Sequence, residues 1–348
     1  MTSIKAKLTT TARTAAARLP LAVLQRFSGR GVCTVLYHAV TDTAPDHLKH
    51  LLPCRDVECF RRDLDFLLKN FEPISLSQLV NGVLQEERLS QNAFHLTCDD
   101  GLREAAEIIA PICREKGVPA TFFLTTGFIG NRYLWHRHLG SLLLERILKL
   151  PDLRREQLRN EIRAKYPATA SVSWRELLIT RDPESRPFLD DVATLIGVDP
   201  AAYLNEARPY VDSNDVARLI RDGFTIGAHS VHHPSFPSIP LADQVSEALE
   251  SLRQIEAANS IACRTFAFPF GADGVEPRFY QTVQHNHEIE MFFGVGPSDE
   301  LSENGCLDRI PLDFDSSISV EYTLKCAYAD RIRRRLRRPR TENGRAVV

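Results

Sequence analysis

What most limits the folding of this chain is an alternation. Short apolar runs rich in β-branched and aromatic residues recur between longer amphipathic segments. The runs lie at 32–38, 71–74, 94–98, 120–126, 224–228, 265–268, 291–296 and 308–312. Between them, residues 57–67 bring Phe60, Leu64 and Leu67 to one helical face, and 241–258 do the same with Val245, Leu249, Leu252 and Ile255. Strands that alternate with helices predict an α/β fold whose sheet is parallel, either open or closed as a barrel. The rhythm breaks from 130 to 210, a polar stretch rich in Arg and Glu that opens on a Leu-rich segment and reads as a helical insertion or lid. With 43% apolar and 25% charged residues in 348, the chain has material for a sizeable core.

In a parallel fold the carboxyl ends of the strands carry chemistry. Thr97-Cys98-Asp99-Asp100-Gly101 ends one of them. Two adjacent carboxylates at the mouth of an apolar strand are costly when both ionise without a partner. A cation relieves that cost, binding one and leaving its neighbour as a base. The plainer account is a helix cap followed by an Asp-Gly turn. Residues 224–228 end in His229-Ser230-Val231-His232-His233-Pro234. His229 and His233, four apart, are placed to share one ion from a helical turn or a tight loop, and His232 would point away. His38 ends the first run, Phe270-Gly271 follows another, and Trp135 and His136 open the insertion, where they either overhang the site or pack. An Asp/His/His set with open positions suits a hydrolytic metal site.

Together these motifs resemble the polysaccharide deacetylase family, the NodB-homology group of carbohydrate esterases, and its biofilm exopolysaccharide deacetylases in particular. Residues 97–101 are similar to its Thr-Phe-Asp-Asp-Gly with Cys98 in the Phe place, and 229–234 to its His-Ser-x-x-His-Pro. Residues 266–271 resemble its third motif. The resemblance implies a distorted (β/α)7-type barrel of parallel strands and a divalent metal, commonly Zn2+. It implies Asp100, His229 and His233 as metal ligands and Asp99 as the base for the attacking water. It also implies oxyanion stabilisation by the metal and the Phe270 amide; Trp135 is the further candidate substrate contact. Two departures stand out. Ala267 occupies the place of the third motif's Arg, and no Leu-x-x-His follows Leu312. His38 is the candidate acid, as in the biofilm subgroup.

The implied organisation is a basic amphipathic helix over 1–30, a barrel from 31–129 and 211–328, the insertion at 130–210 and a basic tail at 329–348. The net charge of −2 argues against a whole-surface nucleic-acid binder. Eight scattered cysteines without CxxC spacing read as free thiols. No apolar span reaches about 18 residues, and the N-terminus lacks a secretory h-region. The expectation is therefore a cytoplasmic protein, peripheral at the inner membrane face if its basic ends meet anionic lipid. The expected activity is hydrolysis of the N-acetyl amide of an amino-sugar glycan. The alternatives are deacylation of a lipid-linked sugar and a catalytically weak glycan-binding protein.

Overall fold

The structure is a computed structural model, which describes residues 18–28, 32–85, 89–90, 92–169, 171–179, 183–285, 289–296, 301–302, 304–313, 315 and 317–337. Eight parallel strands run as β1 (Cys33–Tyr37), β2 (Glu72–Pro73), β3 (Ala93–Cys98), β4 (Ala120–Leu124), β5 (Thr225–Ala228), β6 (Thr265–Ala267), β7 (Met291–Val295) and β8 (Cys306–Pro311). Seven of them close a ring in the order β1-β8-β7-β6-β5-β4-β3 and back to β1. The short β2 pairs with the first residues of β3, on the edge that β4 takes further along. The expected distorted seven-stranded barrel is borne out.

The helices are α1 (Leu21–Ser28), α2 (Val57–Asn70), α3 (Leu76–Leu84), α4 (Ala110–Lys116), α5 (His136–Leu148), α6 (Asp152–Lys165), α7 (Trp174–Leu178), α8 (Arg186–Ile196), α9 (Pro200–Ala207), α10 (Ser213–Arg221), α11 (Leu241–Asn259), α12 (Pro277–His285) and α13 (Val320–Arg337). Local signals start them where the sequence has caps. Asp56 accepts from the Cys59 amide at 2.6 Å ahead of α2, and Ser75 and Gln78 form a reciprocal box ahead of α3. In β1, β3 and β4 every residue is buried, as a parallel sheet covered on both faces requires.

Alternation along the strands splits the core. Phe122, Phe266 and Phe292 face outward to the helices, while Phe123, Ala267, Met291, Phe293 and Leu307 fill the barrel. Gly227 makes room for this filling. A Cβ there would stand 2.4 Å from the Phe123 ring. A third cluster, built by Leu139, Leu142, Leu143 and Ile147 of α5 with Leu158, Leu178, Leu189 and Val192, roofs the barrel mouth over Leu102 and Phe128. Helix α13 runs on to Arg337, into the stretch from 329 that the sequence reads as a basic tail.

Candidate metal centre

Asp99 and Asp100 sit where β3 leaves the barrel. The Asp99 amide still donates to Tyr37 O at 3.0 Å, as if the strand continued. Asp100 then turns to a left-handed φ of 72°, and Gly101 follows at 74°. Asp tolerates that conformation, and Gly adopts it freely. The reversal sends the two adjacent carboxylates to different partners.

Asp100 meets the two imidazoles. Its Oδ1 lies 3.3 Å from His229 Nε2 and 3.1 Å from His233 Nε2. All three side chains are buried, and their ligand atoms lie within 4.8 Å of one another. Those contacts do not have hydrogen-bond geometry: among the described residues, no donor is aligned on the buried Asp100 Oδ1. Ligands at ~2.0–2.1 Å around a tetrahedral ion stand about 3.3 Å apart. The residues present therefore fit a divalent cation. His229 Nδ1 lies 2.8 Å from Ala267 O, so the ring donates there and leaves the Nε2 lone pair for a metal. Burial disfavours the Asp100 anion, but His233 and His229 overcome this and hold its pKa well below the ordinary value.

The histidine segment is a tight loop, the second of the two arrangements its spacing allowed. Ser230 and His233 both take positive φ, 66° and 58°. The Ser230 hydroxyl accepts from the His233 amide at 2.9 Å. Glu247 on α11 accepts from the amides of Val231 and His232, both at 2.9 Å, and from His232 Nδ1 at 2.6 Å. His232 thus points away from the site and anchors the loop from outside.

Asp99 turns inward to Arg309. The guanidinium of this β8 residue is fully buried and donates to both carboxylate oxygens at 2.6 Å. It also donates to Thr97 Oγ1 at 3.2 Å and to Gly294 O at 3.0 Å, and its carbon lies 5.2 Å from the centre of the Phe123 ring. Burial would raise the pKa of Asp99; Arg309 reverses that and lowers it. The sequence placed no arginine beside Asp99, because Ala267 fills the third-motif place. The structure supplies one from β8, two strands round the ring from β6. Asp99 Oδ2 is 3.9 Å from His229 Nε2, at the edge of the ligand set.

His38 follows β1. Asp313, just beyond β8, accepts from the His38 amide at 2.5 Å and stands 3.2 Å from its Nδ1. Burial would lower the imidazole pKa, but Asp313 more than offsets it, aided by Asp100 and Asp99, and the result is about 9. Asp313 went unread in the sequence; only the pairing of β1 with β8 brings it to His38.

Trp135 and Phe270 meet over His233. The Trp135 ring is 4.5 Å and the Phe270 ring 4.9 Å from that of His233. Phe270 takes a φ of 62° in a turn closed by the Gly271 amide on Phe268 O at 3.1 Å. The Trp135 indole N–H is buried and has no acceptor among the described residues. His136 is buried beside Trp135, with ring centres 5.4 Å apart.

Comparison with known proteins identifies what the chain resembles. The polysaccharide deacetylase family model matches residues 192–289. No curated protein matches the chain by sequence. Among solved structures, a Streptococcus pyogenes deacetylase, PplD, in complex with acetate aligns with a TM-score of 0.55 at 12% identity, over 86% of this chain and 99% of that one. IcaB from Ammonifex degensii aligns at 0.55 and 13%, over 86% and 97%. A de-N-acetylase from Aggregatibacter actinomycetemcomitans aligns at 0.53 and 13%, over 85% and 99%. The shared fold and the family match bear out the expected resemblance to polysaccharide deacetylases, a family of hydrolases acting on N-acetyl amide bonds.

Proposed function

We propose that this chain, with the fold and the family match of a polysaccharide deacetylase, is a metal-dependent hydrolase that removes acetyl groups from an N-acetylated amino-sugar glycan. One observation carries the reading: a buried Asp/His/His set lies beside a second carboxylate, Asp99, which Arg309 keeps ionised. Asp100, His229 and His233 would hold the cation, and a mixed N/O set of this kind suits Zn2+. When bound, such an ion polarises the acetyl carbonyl and acidifies water next to it.

The chain's own groups do the rest. Asp99, ionised but at the edge of the ligand set, takes the proton from the attacking water. The water oxygen bonds to the carbonyl carbon, and the Phe270 amide donates to the oxygen that gains charge. His38, charged through Asp313, gives its proton to the amide nitrogen as the C–N bond breaks, releasing acetate and the free amine. Trp135 offers the acceptorless indole N–H to the sugar and shields the site from bulk water.

A second reading, a lipid-linked sugar as substrate, draws on the basic ends of the chain. A glycan-binding protein without turnover is disfavoured by Asp99, since simple binding has no use for a buried base held ionised beside the ligand set. The test is acetate release from N-acetylglucosamine oligomers by chelated protein with and without added Zn2+. Asp99→Asn should retain one metal per chain and lose at least ~100-fold in turnover. Equal oligomer affinity and no acetate from either protein would sink the hydrolase in favour of the binder.

A further inference from the structure

The chain concentrates positive charge at its two ends. Residues 1–30 hold six Lys and Arg and no Asp or Glu, and 331–340 hold seven Arg and no acid, in a chain whose net charge is −2. The fold brings described parts of both ends together. Leu21 and Leu24 of α1 bury into the same core as Val320, Leu324, Ala327 and Tyr328 of α13. At their far ends, Arg335 Nη1 donates to Ser28 O at 2.7 Å.

The outward side of α1 is not the polar face that a water-facing helix presents. Val23 and Phe27, one turn apart on it, are 37% and 67% exposed, Leu19 just ahead of it is 44% exposed, and Leu336 on α13 is 82% exposed. Arg26 on α1 and Arg18 in the turn ahead of it are exposed, and α1 carries no acid. On α13 the last acid is Asp330, which Arg333 engages at 3.1 Å.

We propose that this α1–α13 face docks the protein on an anionic lipid bilayer, with Leu19, Val23 and Phe27 entering the headgroup region and the surrounding arginines meeting lipid phosphates. An apolar stripe flanked by Arg is what an interfacial helix needs. Other occupants fit less well. A second copy meeting the same face about a two-fold axis would set one basic patch against its twin. A polyanion without an apolar phase would leave Phe27 in water.

The docking end has a definite place in the barrel. Ahead of α13, Ile318 O accepts from Arg55, and Arg55 bridges to Val40 just past the carboxyl end of β1. The other end of α13 touches Ser28, ahead of β1. Helix α13 therefore runs from the carboxyl to the amino ends of the strands, and its 18 residues span about 27 Å. The α1–α13 face therefore lies on the flank of the barrel, with Phe27 and Leu336, the neighbours of Ser28 and Arg335, toward the amino ends of the strands and away from Asp100.

The test is co-sedimentation of the full chain with vesicles of phosphatidylcholine alone or an equal mixture of phosphatidylcholine and phosphatidylglycerol. The expected result is binding to the mixed vesicles only. It should weaken about five-fold for each of Arg26→Gln and Arg335→Gln, and roughly ten-fold for Phe27→Glu or Phe27→Ser with an unchanged circular dichroism spectrum. No binding to mixed vesicles would overturn the proposal. So would binding indifferent to Phe27, which would be electrostatic capture by the tail, or a dimer in size-exclusion chromatography that Phe27→Glu dissolves.

Discussion

At the scale of single residues, the unusual placement is a fully buried guanidinium inside the barrel, among the rings of Phe123 and Phe293. Arg309 survives there because Asp99, Thr97 and Gly294 take its donors and the Phe123 face lies alongside. Removing one member of such a buried pair strands the other. Arg309→Met should destabilise the protein by ~3–5 kcal/mol in chemical denaturation. It should also lower acetate release by about 100-fold or more, because Asp99 would no longer be held as the anion. Arg309→Lys should recover part of the stability, since a single ammonium cannot bridge both oxygens. His38 offers a test by pH. Its pKa of about 9 means that the charged donor persists through neutral pH and is lost only as pH rises through that value. In kcat/KM profiles the alkaline limb should lie near 9 and move to lower pH in Asp313→Asn, where only Asp100 and Asp99 still oppose burial. The stabilisation from this pair is complete below 6.5 and fades up to about 9. The four residues from Asp99 to His233 that meet at the centre were legible because each pair is local in sequence. Arg309 and Asp313 were not, because their partners stand 210 and 275 residues away.

At the scale of elements, the histidine loop owes its shape to a helix outside the site. Glu247 on α11 receives two amides and one imidazole from that loop. Glu247→Ala should leave the barrel folded and weaken Zn2+ binding by roughly 10–100-fold in a competitive chelator titration, as outer partners of metal ligands do. Unchanged affinity would mean that Ser230 alone fixes the loop. The sequence announced each strand of the ring, since buried parallel strands are continuous apolar runs. It misjudged the end of α13, because seven arginines in ten residues resemble a solvated tail. Arg is nonetheless a good helix former, and packing against α1 gives this helix a reason to continue. The spacing of His229 and His233 left helix and loop equally open; the positive φ at Ser230 and His233 decided it, and side-chain periodicity carries no trace of such angles.

At the scale of the molecule, the barrel and its roof meet at one mouth, and a cation bound there would bridge β3 to the loop after β5. Zn2+ at 100 times its dissociation constant should stabilise the fold by about 2.7 kcal/mol. The melting temperature should accordingly rise with added Zn2+, and His233→Ala should abolish the rise. None of the described helices is long and apolar enough to cross a membrane. All eight cysteines are free, so no covalent link braces the ring, and its closure rests on β1 finding both β3 and β8. That closure has a consequence during synthesis. A nascent chain that has reached residue 300 already carries Asp99, Asp100, His229, His233 and His38, but neither the guanidinium for Asp99 nor the carboxylate for His38. Until the last strand has left the ribosome and taken its seat beside the first, Asp99 and His38 stand without the partners that set their charge.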